Sequence, residues 1–226
     1  LYKQSTNVFV QTPKDLNYIK NYSKKYNFNT SVIYNWINLD NSFDKKYKRI
    51  NNTRLRFIFT GVIGMAQNYK ILVEIVNFFK RKNIKSTFFF VGMGSKKESL
   101  KNDLKQHNNV LFLDEMKLCK MESLVEKFDI CLCTLDGKYD SDNFPGKILR
   151  YMKFNKTILN HAPNNNFLKQ LIEENKLGLY SSNRDELYNN LNKIIKNREI
   201  VEQLGSTGYQ ILKKKYLTKK IISVIN

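Results

Sequence analysis

The sequence predicts an α/β fold, a doubly wound parallel sheet of Rossmann-like type followed by a helical tail, and three observations carry that prediction. Short apolar, β-branched or aromatic runs recur at residues 54–60, 86–91, 110–113, 129–133 and 157–160. Runs of this length without polar alternation read as strands buried on both faces, as parallel strands are. Segments with helical spacing separate them, so strand is followed by helix five times over, the pattern of a parallel sheet covered on both sides. From Arg184 onward the apolar residues fall on helical stripes only.

The elements follow in order. In the first forty residues a strand at 8–11 leads into a helix entered at Thr12-Pro13, with proline in the first turn, and a second strand follows at 31–34. One βαβ unit cannot make a domain, so residues 1–40 read as the remnant of an N-terminal domain, and polar, charged residues 41–53 as the linker. After the strand at 54–60, Ile71, Leu72, Ile75, Val76, Phe78 and Phe79 make one apolar helical stripe. The next connections carry Leu100 and Leu104, then Met121, Leu124, Val125 and Phe128, then Ile148, Leu149 and Met152, each at helical spacing. In the tail, Leu187, Leu191, Ile194 and Ile195 form one stripe and Ile200, Val201 and Leu204 another. A break from Gly205 to Gly208 precedes a last helix through Leu212, Tyr216 and Ile221.

Composition bounds the partners. With 226 residues, 42% of them hydrophobic and 13% aromatic, the chain can bury a sizeable core. Lys and Arg number 39 against 20 Asp and Glu, a net charge of +19, which implies nucleic acid, phosphorylated small molecules or acidic lipid. Charge alone does not choose among them, and heavy use of Asn, Lys, Ile and Tyr points to a compositional background. Cys119, Cys131 and Cys133 have no metal-ligand spacing, and Cys131 and Cys133 share one strand face, as buried thiols in a reducing compartment would. No apolar stretch approaches the roughly 20 residues of a membrane span and no signal peptide is visible, so a cytoplasmic location is expected. The first residue is Leu, which points to a piece of a longer protein. His107 and His161 form no nucleophilic or metal constellation and read as turn or surface residues.

In open parallel sheets ligands bind beyond the carboxyl ends of the strands, and three loops qualify there. The first is Thr60-Gly61-Val62-Ile63-Gly64-Met65-Ala66-Gln67-Asn68, whose glycines allow backbone to approach a ligand at a helix start. The second, Gly92-Met93-Gly94-Ser95, lacks the third glycine of a dinucleotide fingerprint. For both, the competing reading is a tight turn that lets strand and helix pack. The third runs from Asp136 to Gly146 and opens the helix carrying Ile148 and Leu149. Lys147 and Arg150, three apart, share a face in its first turn, where a helix dipole disfavours cations by roughly 0.3–1 kcal/mol. Two cations there make sense if an anion fills the site. Asp140-Ser141-Asp142 superficially matches a metal-binding D-x-D, though a solvated acidic turn accounts for it as well.

The blocks Val32-Ile33-Tyr34-Asn35-Trp36-Ile37, Phe59-Thr60-Gly61-Val62-Ile63-Gly64-Met65-Ala66-Gln67, Phe90-Val91-Gly92-Met93-Gly94, Val110-Leu111-Phe112-Leu113, Phe128-Asp129-Ile130 and Phe144-Pro145-Gly146-Lys147-Ile148-Leu149-Arg150-Tyr151-Met152 run over nearly the whole chain. Their order and spacing resemble the C-terminal domain of retaining GT-B glycosyltransferases of family four, especially the bacterial capsule and O-antigen enzymes of fucosamine-transferase type. The resemblance implies that residues 54–226 hold a nucleoside diphosphate sugar, with the acceptor site on the N-terminal domain. It places the diphosphate at Gly61, Ile63, Gly64, Gln67 and Asn68 and at the helix start of Phe144, Pro145, Gly146 and Lys147, with Lys147 as charge partner. The base would lie near Glu115 and Met116.

Two departures stand out. Relatives often carry paired glutamates spaced E-x7-E, one for the sugar hydroxyls and one for the ribose; here the positions hold Asp142 and Arg150, and an arginine cannot accept a hydroxyl proton. The basic pair that many relatives place near the first loop is replaced by Val62 and Asn68, with Gln67 or Lys70 as candidate substitutes. Asp142 and Lys147 are the expected catalytic residues. No metal cofactor is expected, because in such enzymes positive protein groups stabilise the departing diphosphate. The implied activity is transfer of a sugar to a glycan or lipid-linked acceptor in surface polysaccharide synthesis, at the cytoplasmic face of an anionic inner membrane, with the isolated chain inactive. A basic nucleic-acid-binding α/β domain and a catalytically lapsed nucleotide-sugar-binding module are the alternatives.

Overall fold

The computed structural model describes residues 2–39, 54–138 and 142–225. The expected linker 41–53 and the residues Asp140 and Ser141 lie outside the described residues. Two parallel units are formed. In the first, β1 (Asn7–Val10) pairs with β2 (Asn29–Val32) across α1 (Pro13–Tyr26). Thr12 caps α1 by accepting from the Asp15 amide at 3.2 Å while its hydroxyl meets the Asp15 carboxylate at 2.8 Å, and Pro13 takes the first turn, where no amide is needed. The strands begin one and two residues earlier than their apolar content implied, because the pairing admits Asn7 and Asn29.

The second unit is a six-stranded parallel sheet of β3 (Leu55–Thr60), β4 (Ser86–Val91), β5 (Val110–Leu113), β6 (Ile130–Thr134), β7 (Thr157–His161) and β8 (Gly178–Ser181), in the order β5-β4-β3-β6-β7-β8. The chain builds outward from β3 to β5, then returns to lay β6 on the other side of β3. Crossovers on either side of that pair diverge, which leaves a crevice at its carboxyl end.

Helices cover both faces. Beneath one, α2 (Tyr69–Arg81), α3 (Lys97–Leu104), α7 (Arg184–Lys196) and α8 (Glu199–Gln203) pack on Phe57, Phe59, Phe88 and Phe90. Beneath the other, α4 (Leu118–Val125), α5 (Lys147–Lys153), α6 (Asn166–Glu174) and α9 (Gly208–Lys215) pack on Ile58, Cys131, Cys133 and Ile158. The central strands β6 and β7 are buried at every residue, as the unbroken apolar runs require.

Four sequence expectations need correction. The strand β8 and the helix α6 are additions, hidden because Gly-Leu-Tyr-Ser is short and starts with the residue least suited to a strand. The strand β5 is half-exposed rather than buried, since it is the sheet edge. The single last helix is two, α9 and α10 (Thr218–Ile225), interrupted where Leu217 forms a parallel bridge with Ile37. His161 is not a surface residue: it is 4% exposed and its Nδ1 lies 3.0 Å from Ser181 Oγ, with burial pushing its pKa down to about 4.

Candidate functional site

At the carboxyl end of the sheet the first two glycine loops lie against each other. The Gly61 amide donates to the Val91 carbonyl at 2.9 Å, the Ile63 amide to Met93 at 2.8 Å, and the Lys96 amide to Ile63 at 2.9 Å. Gly92 (φ 138°) and Gly94 (φ 145°) make this possible. A Cβ on Gly92 would stand 2.1 Å from the Gly61 carbonyl oxygen, and one on Gly94 2.4 Å from that of Ile63. The joined loops form one wall of a cleft of about 490 Å³, completed by Val62, Val91, Glu115, Met116 and Met121. Its lining is largely apolar and thioether-rich, a deformable surface suited to a flat ring.

The third loop differs. Lys147, at the start of α5, sends its ammonium over the Phe59 ring, 3.7 Å from the centroid and 3.8 Å from where a Gly61 Cβ would stand. That nitrogen is sealed from solvent and has no hydrogen-bond partner. Burial, with the nearby Arg150 charge adding to it and Cys133 opposing it, pushes its pKa down to about 8. Arg150, half-buried, has an unpartnered Nε and places Nη1 4.0 Å from the Met121 sulfur at the cleft wall. Asp142 is 9% exposed with its Oδ1 unpaired, and Thr134 Oγ1 and Asn160 Oδ1, at the ends of β6 and β7, are also buried and unpaired. Buried polar atoms are nearly always bonded, because stranding one costs about 1–3 kcal/mol. Five such atoms, on Thr134, Asp142, Lys147, Arg150 and Asn160, lie at one end of the sheet.

The expected site residues therefore divide. Gly61, Glu115 and Met116 line the cleft. Lys147, Arg150 and Asp142 supply the unpaired polar atoms. In the first loop the amides of Gly64, Met65 and Ala66 make no hydrogen bond among the described residues. The Ile63 side chain is fully buried and both its backbone groups are bonded to the second loop, so it serves the wall. The Phe144 ring is also buried, packed edge-on to Tyr34 and Phe167, so it anchors the loop and its side chain faces the core. Pro145 carbonyl receives the Ile148 amide at 3.0 Å, while Gly146 is exposed with nothing within 4 Å of its Cβ position. Asn68 precedes α2 without a side-chain cap bond, and the Gln67 amide is turned back to Gly64. Lys70 does not take the place of a missing cation: its ammonium pairs with Asp103 at 2.8 Å, on the exposed surface between α2 and α3.

The helix α5 has only seven residues, which makes its dipole a smaller asset than the unpaired side chains around it. Sequence reasoning missed Met121, taken as core from its helical spacing, and missed Thr134 and Asn160. The available signal for the last two was a polar residue closing an otherwise apolar strand. Among the described residues no three His, Cys, Asp or Glu side chains gather as metal ligands, and no helix is long and apolar enough to cross a membrane.

The chain matches the family described as glycosyl transferases group 1 over residues 54–197. No curated protein matches it. It is similar to a TarM mutant of S. aureus, in complex with fondaparinux, alpha-GlcNAc-glycerol and UDP, at 17% identity and TM-score 0.73 over 96% of this chain and 42% of that one. Anabaena HepE, in complex with UDP and glucose, gives 15% identity and TM-score 0.72 over 97% and 61%. The C-terminal domain of LpcC, a glycosyl transferase group 1 family protein of Francisella tularensis, gives 14% and 0.60 over 76% and 96%. The chain thus spans less than two thirds of the first two proteins, and identities this low carry the fold alone. The family match extends over more than half of the sequence and coincides with the six-stranded unit: the chain belongs to the glycosyl transferases group 1 family and has the fold of a GT-B glycosyltransferase domain.

Proposed function

We propose that residues 54–226 are the donor-binding half of a retaining glycosyltransferase, holding a nucleoside diphosphate sugar and passing its sugar to a glycan or lipid-linked acceptor. The observation that carries this reading is the sealed Lys147 ammonium, without a hydrogen-bond partner, beside Gly61, which itself lines the apolar cleft. A base fits between Met93 and Met116 with Glu115 at its edge, and a diphosphate fits where Lys147, Arg150 and the free amides of Gly64 to Ala66 offer donors. UDP in the TarM and HepE complexes supports a uridine nucleotide. As the bond to the sugar breaks, charge grows on the diphosphate, and Lys147 would stabilise it. Asp142, with a free buried carboxylate oxygen, would take a sugar hydroxyl.

Residues 1–40 act in this reading as the remnant of the acceptor domain. Surface polysaccharide synthesis, retention of configuration and contact with an anionic membrane rest on the resemblance and on the +19 charge. The nucleic-acid alternative is weakened by the aromatic residues, since Phe57, Phe59, Phe88 and Phe90 are spent in the core. Calorimetric titration of the chain with uridine, guanosine and adenosine diphosphates tests the proposal. One should bind at least about tenfold more tightly than the others, and absence of binding by all three at about 1 mM would sink it.

A further inference from the structure

Methionine is scarce in this chain and concentrated at the cleft. Of five methionines, Met93, Met116 and Met121 line it, and Met65 stands on the first glycine loop, which builds one of its walls. Met152 lies elsewhere, sealed in the core at 1% exposure. A thioether is soft and polarisable, which suits contact with a flat base, and it is also a side chain that oxidation converts to a polar sulfoxide. We infer that Met93 is an oxidation site through which hydrogen peroxide reversibly switches off nucleotide binding; the inference rests on the nucleotide reading above.

Access decides which sulfur reacts. Met65 is 60% and Met93 52% exposed, whereas Met116 and Met121 are half-buried. Met116 packs against the core, and the Met121 sulfur lies 4.0 Å from Arg150 Nη1, a donor that draws on the lone pair a peroxide would use. Met93 is the one methionine that is both open and in the lining. In the step its sulfur attacks one peroxide oxygen, the O–O bond breaks and an S–O bond forms. The proton on the transferred oxygen passes to the departing one, which leaves as water. Sulfur is oxidised by two electrons and the peroxide is reduced by two.

The backbone holds the product in place. The Met93 carbonyl accepts from the Ile63 amide at 2.8 Å, and the flanking Gly92 and Gly94 lie tight against the first loop, so the segment has little room to turn its side chain out. A sulfoxide is a polar acceptor that holds water, and a base entering the slot has to displace that water; the thioether has none to give up. Met65, equally open but outside the lining, gives an internal comparison. A methionine sulfoxide reductase with a dithiol reverses the change: the oxygen leaves as water and the dithiol becomes a disulfide.

The test treats the 226-residue chain with hydrogen peroxide in a Cys119→Ser background, which keeps that exposed thiol from consuming the reagent. Peptide mass spectrometry should show Met65 and Met93 gaining one oxygen first and Met152 last. The tightest-binding nucleoside diphosphate, at saturation, should slow oxidation of Met93 at least about threefold and leave that of Met65 unchanged. Calorimetric affinity for that diphosphate should fall about tenfold once Met93 is oxidised and return after treatment with the reductase and a dithiol. Compared before and after peroxide within each variant, affinity should change less than about twofold for Met93→Leu and still fall about tenfold for Met65→Leu. Affinity that survives complete oxidation of Met93, or that falls equally in Met93→Leu, overturns this inference alone. Failure of uridine, guanosine and adenosine diphosphates to bind the untreated chain overturns the nucleotide reading with it.

Discussion

The two glycine loops and the segment from Asp142 to Arg150 occupy the same end of the same sheet, and they are built in opposite ways. In the loops the key backbone groups are paired: Gly61 with Val91, Ile63 with Met93 and Lys96, all within 2.9 Å. Around the third loop, side-chain nitrogens and oxygens of Asp142, Lys147 and Arg150 are buried and unpaired. Where the loops join, the wall is a finished piece of structure, with the amides of Gly64, Met65 and Ala66 left unbonded beside it, whereas on the opposite side it is side-chain atoms that go unpaired. Rigidity in one element thus allows unsatisfied chemistry in its neighbour.

This contrast can be broken from the stable side. Gly92→Ala should have the largest effect, since the new Cβ would stand 2.1 Å from a backbone oxygen at φ 138°. A loss of about 3 kcal/mol or more is expected in denaturant unfolding, against less than about 0.5 kcal/mol for Gly146→Ala, where no atom lies within reach. From the incomplete side, Lys147→Met should weaken diphosphate binding about 30-fold by calorimetry. The same variant should raise the stability of the free protein at pH 7 by about 1–3 kcal/mol, because a buried charge with no partner is removed. Loss of both binding and stability would mean that the ammonium has a structural partner after all.

The pH response sharpens the same point. The Lys147 pKa is about 8 in the fold against 10.5 when exposed, so between those values the unfolded chain keeps a proton that the folded chain has released. Stability gained from this group therefore rises with pH across that window, and Lys147→Met should remove the rise. Diphosphate affinity should move the other way, falling by up to about tenfold per pH unit above pH 8 as the ammonium is lost. The smallest effect belongs to Lys70→Ala. Its exposed, solvent-screened pair with Asp103 should leave the denaturant midpoint unmoved, and binding should change less than about twofold.

Much of the fold was legible in the sequence because local rules and burial agreed there. The stripe from Ile71 to Phe79 buries all six of its apolar residues, and Thr12-Pro13 opens α1 as a proline after an N-cap should. The strand β8 and the interruption at Leu217 were not legible, since each depends on a partner far along the chain, β7 for one and Ile37 for the other. The candidate site was legible as a set of loops but not as a division of labour. Lys70 and Lys147 are both lysines near a loop. Only packing sends one to Asp103 and the other beneath Gly61.

By itself the sequence determined the periodicities, and through them a parallel sheet with helices on both faces and loops gathered at its carboxyl end. Those properties follow from each residue and its near neighbours, which is where secondary-structure preference and amphipathic spacing act. The tertiary structure decided which polar atoms go unpaired and which cations meet in one cleft. Desolvation is a property of the whole packed surroundings, so the lowered pKa of Lys147 and the stranded Nε of Arg150 arise only when β3, β6 and α5 are brought together.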